Sequence, residues 1–291
     1  MITNKLKAIN QKLFAKYFLA FIFLGISNKI FSQNNIVCGA RSLGMSQTSL
    51  TVQDQFAIFN NIGALAGIQQ SMAVFTYHKQ FNIEGLQSTA AALVMPFSEK
   101  LASGISFTRF GDNLFSEQSL GFGISHKIAN TSLGLKMNWV QIFVEGLGNR
   151  NLLVLEFGGI AQLSKNLWFG GHIFNLNQAK MAQYRQERYP ILMKAGVSYR
   201  PSEKLMLNIE TQKDLDLPAN VRVGAEYQLN QYLAFRTGIS SQPQTSSYGV
   251  SLHLWAWQVD YALQTHPYLQ AAHHLSLTYK IRNLKKKEVE E

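Results

Sequence analysis

The amino-acid sequence predicts an all-β fold: a closed, antiparallel transmembrane β-barrel of about fourteen strands, with a helical or irregular N-terminal plug in its lumen. Three observations lead there. First, only 15% of the 291 residues are charged and 46% are hydrophobic, whereas a soluble domain has about a quarter charged. Yet past residue 30 no apolar run approaches the roughly 20 residues a helix needs to cross a bilayer. Second, from about residue 70 apolar and polar residues alternate with a period of two, the mark of strands lying between two unlike environments. Third, short turns such as Ser98-Glu99-Lys100, Ser164-Lys165-Asn166, Ser202-Glu203-Lys204 and Asn230-Gln231 alternate with longer links. That order belongs to barrels whose two rims face different compartments, and a soluble sandwich has no reason to keep it.

Taken in order, residues 1–33 read as a secretory signal peptide. Five lysines precede or flank the apolar stretch Tyr17 to Ile26, and Ser32 offers a small residue before cleavage near Gln33. Setting those lysines aside, the formal charge of +10 falls to 22 basic against 17 acidic residues. The basic balance is therefore mainly a targeting feature, and nothing in it suggests nucleic acid. Cys38 is the single cysteine, so no intrachain disulfide forms, and a packed thiol is its expected role. Residues 34–69 form the expected plug: short apolar pieces around Ala57-Ile58-Phe59 and Leu65-Ala66 are separated by Gly39, Gly44 and Gly63, with no strand alternation.

Residues 70–281 form the barrel, with strands expected at 70–79, 86–96, 101–110, 117–128, 131–144, 151–163, 167–175, 189–200, 204–213, 218–228, 231–239, 246–254, 256–264 and 270–281. The fifth shows the pattern well: Leu133, Leu135, Met137, Trp139 and Phe143 on one face, Gly134, Lys136 and Asn138 on the other. The second does not, because Ala90 to Val94 keeps no phase. A charged tail, 282–291, follows.

The apolar face of these strands is expected to meet lipid and the polar face the lumen. Many polar-face positions are glycine, among them Gly134, Gly158, Gly224, Gly238 and Gly249. Glycine weakens a strand and makes sense where something fits close to the wall, as a plug would. The remaining lumen positions carry both signs: Lys136, Glu156, Lys194, Glu210, Arg222, Glu226, Arg236 and Asp260. Such charges are costly unless paired. Aromatic residues near strand ends (Tyr189, Tyr199, Tyr227, Tyr232, Trp255, Trp257 and Tyr279) fit interfacial girdles. In the plug, Arg41, Asn60 and Asn61 are the best candidates for holding or binding, with Arg41 able to pair with Glu156 or Glu226. Glu156, Lys194, Arg222, Glu226 and Arg236 are the lumen candidates.

Residues 39–66, G-A-R-S-L-G-M followed by F-A-I-F-N-N-I-G-A-L-A, resemble the opening of PorV/PorQ-type proteins of Bacteroidetes, within the class of barrels like the long-chain fatty-acid transporter (FadL). Weaker echoes occur at 174–177, 197–200, 224–227 and 273–279. The resemblance implies an outer-membrane barrel of fourteen strands plugged by its N-terminal segment. It also implies one of two roles: an accessory or docking component of type IX protein secretion, whose partners would be secreted proteins or secretion components, or a conduit for hydrophobic small molecules. A structural barrel without a transport role is a third reading.

No spacing suggests an enzyme, a cofactor or a metal. His273 and His274 are adjacent, so on a strand they point to opposite faces. His172 and His253 stand alone, and a hydrogen-bonded lumen histidine is the expectation for each.

Overall fold

A computed structural model describes residues 39–181, 188–215 and 217–281. The leader read at 1–33, Cys38 and the tail at 282–291 lie outside the described residues. Fourteen strands follow one another along the chain: β1 (Met72–Lys79), β2 (Gln87–Pro96), β3 (Leu101–Gly111), β4 (Phe115–Ile128), β5 (Thr131–Val144), β6 (Gly148–Gln162) and β7 (Leu167–Phe174). The second half is β8 (Leu192–Ser202), β9 (Leu205–Asp214), β10 (Asn220–Gln228), β11 (Leu233–Ser241), β12 (Gln244–Leu254), β13 (Trp257–Thr265) and β14 (Ala272–Lys280). Each begins and ends within three residues of its expected span. Every strand pairs antiparallel with its neighbours in sequence, and β1 pairs with both β2 and β14, so the sheet closes. Closure leaves no open edge around the ring, the condition for strands to cross a bilayer. Among the described residues no helix is long and apolar enough to cross one.

The two faces separate as the alternation requires. Leu135, Ile209 and Leu277, which would meet in the middle of a soluble sandwich, stand outside the barrel with 48%, 58% and 37% of their surface exposed. Their inward neighbours Lys136, Asn208 and Ser276 are buried. The adjacent histidines split in the same way: His273 faces out beside the Tyr261 hydroxyl, and His274 is buried.

β2 lacks alternation because both of its faces are apolar. Ala92 and Val94 point inward onto a core that includes Ile58, Ile62, Leu65, Val74 and Ala102, while Leu93 points out. That inner core belongs to the plug. It consists of helix α1 (Ala40–Gly44), helix α2 (Ala57–Asn60) and a 3-10 turn over Ile62–Gly67, after which the chain enters β1. The plug lies against the half of the wall near the short turns. Ser132 and Ser125, which flank the β4–β5 turn, donate to Gly63 O at 2.5 and 3.0 Å.

The lumen glycines are where the plug touches the wall. A Cβ on Gly134 would come within 2.7 Å of Ile62 O, and one on Gly224 within 2.6 Å of Met45 O. Any larger residue there would push the plug off the wall. Tyr189, expected in a girdle, is instead 3% exposed inside the lumen. Residues 189–191, just ahead of β8, turn inward, and Ile191 is buried as well.

Candidate functional site

Three groups of side chains occupy the lumen. The first fastens the plug. Arg41 on α1 makes a two-pronged contact with Glu226 on β10, Nε to Oε2 at 2.8 Å and Nη2 to Oε1 at 2.5 Å, and reaches Asp54 at 3.1 Å. Glu226 is shared: Arg236 Nε on β11 donates to its Oε2 at 2.5 Å. Arg236 then reaches Asp260 on β13 at 3.1 Å, which also accepts from Ser251 and Gln258. Two cations therefore meet three anions in a contiguous chain, which is how buried charge becomes tolerable. Burial alone would lower the Arg41 pKa, but Glu226 and Asp54 outweigh it and hold the guanidinium above its usual range. Of the two acids the sequence offered for Arg41, Glu226 is the one it meets.

The second group pins the plug backbone. Asn61 Nδ2 donates to Leu50 O at 2.7 Å and to Gly159 O on β6 at 3.1 Å, while its Oδ1 accepts from Gly63 N at 3.1 Å. Arg222 Nη1 donates to Gln47 Oε1 at 2.7 Å, Asn208 Nδ2 to Thr48 O at 2.7 Å, and Leu50 N to Glu210 Oε1 at 2.5 Å. Asn60, singled out beside Asn61, is half-buried at the end of α2.

The third group is a cavity of about 80 Å³ between the plug and the rim of longer links. Gln47 and Phe59 of the plug contribute to it, and so do Glu117, Lys136, Glu156, His172 and Lys194 of the wall. Glu156 is its polar centre: Asn138 Nδ2 donates to Oε1 at 2.5 Å, Lys136 Nζ lies 3.4 Å from Oε1, and His172 Nε2 is 3.0 Å from Oε2. Arg41 does not come to this carboxylate. The other side of the cavity is apolar, with Val140, Phe174, Tyr189, Pro190 and Leu192 in its wall. Val140, Tyr189 and Phe174 belong to a core with Ile142, Leu152 and Val154, so the inward face of β5 and β6 is greasy at this end.

Tyr189 closes one side. Its hydroxyl donates to Glu117 Oε1 on β4 at 2.6 Å, and Asn175 holds its carbonyl at 2.8 Å. Burial, reinforced by Glu117, pushes the Tyr189 phenol well above its usual range, so it stays a donor. Beyond β7 the barrel wall thins. β6 pairs with β7 only from Glu156 to Gln162. Just above, Asn177 replaces the missing strand, accepting from Leu155 N at 2.9 Å and donating to Leu153 O at 2.7 Å.

Sequence reasoning missed Asp54, Gln47, Glu117 and the role of Tyr189. A signal did exist for two pairs. Lys136 and Glu156 are opposite each other in the β5–β6 hairpin, and Glu226 and Arg236 in the β10–β11 hairpin. Once a hairpin's turn is placed, its cross-strand partners follow. Contacts between plug and wall have no such rule.

No protein-family model and no curated protein matches the sequence. Solved structures do. The CymD monoaromatic hydrocarbon channel matches with a TM-score of 0.69 at 12% identity, over 87% of this chain and 100% of that one. The toluene transporter TbuX of Ralstonia pickettii matches at 0.65 and 14%, over 84% and 98%. A FadL homologue of Pseudomonas aeruginosa matches at 0.62 and 13%, again over 84% and 98%. At such identities the likeness is one of fold. With its apolar outer band, closed ring and plugged lumen, the chain is an outer-membrane β-barrel of FadL-like fold.

Proposed function

We propose that the barrel is a conduit that admits hydrophobic small molecules through the outer membrane, gated by its plug. The observation that carries this reading is the half-apolar cavity directly above the plug, where Phe59, Val140, Phe174 and Leu192 offer a greasy surface inside an otherwise polar lumen. A barrel serving only as a scaffold has no use for such a pocket, and a general porin would keep a wet, unobstructed channel. Hydrophobic ligand sites are apolar clefts with a few fixed polar groups, and this cavity has that make-up. Proteins of the same fold are described as a monoaromatic hydrocarbon channel and a toluene transporter, which supports the same choice. The accessory role in secretion that the sequence resemblance implies has weaker support. A cargo-docking surface needs area, and three of the outer-rim links, 112–114, 145–147 and 242–243, hold only two or three residues, while the longest, between β7 and β8, carries Tyr189 into the lumen.

The test is uptake of labelled toluene by cells that lack their own hydrophobic channels and express the full chain. Uptake well above cells carrying an empty vector is expected. Equal uptake, with the barrel shown to be inserted, would overturn the reading.

A further inference from the structure

Among the residues that line the cavity, one stands out. His172 is 4% exposed, and its Nδ1 has no hydrogen-bond partner among the described residues. A buried polar atom without a partner is unusual and costly. Two contacts set the ring's orientation. Nε2 sits 3.0 Å from Glu156 Oε2, and the Cδ2 edge lies against Gly158, where a Cβ would come within 3.1 Å. Both neighbours are on β6, so Nδ1 is on the opposite edge, toward the part of the cavity walled by Lys194 and Gln212.

The chemistry of that atom follows from its partner. Glu156 already receives Lys136 and Asn138 and can only accept from His172, so Nε2 carries a hydrogen. In the neutral imidazole this leaves Nδ1 with a lone pair and no hydrogen. The wall beside the cavity therefore holds a covered acceptor, next to Lys194 and Gln212 and across from the apolar side, which a molecule reaches as the cavity widens. A hydrocarbon leaves it unmet, and a carboxylate, though Lys194 stands nearby to attract it, is itself an acceptor and cannot meet it. A hydroxyl can.

We propose that the cavity selects a hydrophobic molecule that carries a hydroxyl group, a simple phenol being the smallest aromatic of that kind, with the hydroxyl donating to His172 Nδ1. This rests on the conduit reading and names its substrate class. The cavity, at about 80 Å³, is about half the size of the roughly 150 Å³ pocket known to take benzene. A single ring therefore enters only as Phe59 or Tyr189 gives way.

The matched set p-cresol, p-xylene and p-toluate differs only in hydroxyl, methyl or carboxylate at one ring position. Equilibrium dialysis against the full chain in detergent, with protein-free micelles as control, measures each. Binding of p-cresol about tenfold tighter than p-xylene is expected, the size of effect that leaving a buried acceptor unmet produces. Gln at 172 reaches Glu156 with its amide as Nε2 does but puts no acceptor at the Nδ1 position. His172→Gln should therefore bring p-cresol down to the p-xylene level and leave p-xylene unchanged. Equal binding of p-cresol and p-xylene to the wild type, or tightest binding of p-toluate, would overturn the hydroxyl preference and leave the conduit standing. Binding of none of the three above the micelle control, together with no toluene uptake by cells, would remove both.

Discussion

Glu226 and Arg41 are bonded to each other, yet the network around them makes their removal unequal. Truncating Arg41 still leaves Glu226 with Arg236 at 2.5 Å, but Asp54, as buried as Glu226, loses its cation, and three anions then face one. Truncating Glu226 leaves two cations and two anions, Arg41 still with Asp54 and Arg236 still with Asp260, both at 3.1 Å. Breaking a buried pair costs about 3–5 kcal/mol when a charge is left uncompensated, and less when a partner remains. Arg41→Ala should therefore lower stability in a urea titration by about 3 kcal/mol or more, and Glu226→Ala by about 1–2 kcal/mol. Equal losses would mean the chain of charges does not act as a unit. The sequence made part of this network legible: lumen charges of both signs require partners, and hairpin register pairs Glu226 with Arg236. It could not reveal Asp54, because the loop that carries it is placed by the packing of Phe56 and Ile58 and not by any periodicity.

Strands could be read because each lies between lipid and a crowded lumen, and the difference repeats every second residue. The reading failed where one environment changed. β2 faces the plug's apolar core, so its inner face is as greasy as its outer one. The link between β7 and β8 was misjudged for a related reason. An aromatic residue near a strand end looks the same whether it turns to the membrane interface or into the lumen, and only the path of the link decides. For Tyr189 that path is set by Asn175, which accepts from Ala179 N and donates to Tyr189 O, both at 2.8 Å. On the conduit reading, Tyr189 is a latch over the cavity, closed by its hydroxyl on Glu117. Tyr189→Phe keeps the ring and removes the latch, leaving Glu117 without its donor. Toluene uptake by the Phe variant should rise about two- to fivefold, which corresponds to loss of roughly one hydrogen bond's worth of closure. Unchanged or lower uptake would argue that the link is a fixed wall.

For the molecule as a whole the question is whether barrel and plug are one folding unit or two. The ring closes through backbone ladders that do not involve the plug. Much of the lumen charge is also satisfied without it, since Glu226–Arg236–Asp260 and Lys136–Glu156–His172 pair within the wall. What the plug alone supplies is an apolar filling for Val74, Ala92, Val94, Ala102 and Ile160, and occupancy of the space the lumen glycines leave. Removing it exposes those side chains to water that would fill the lumen. Each loses part of the roughly 1–3 kcal/mol gained by burying such a group, yet no strand pairing is lost. Deletion of residues 39–66 should therefore give a barrel that still inserts, with a lower urea midpoint, and that passes small hydrophilic dyes the full chain excludes. Failure to insert would mean that the plug templates closure of the ring. Insertion with unchanged dye permeability would mean that the seal lies above it, at the Tyr189 latch.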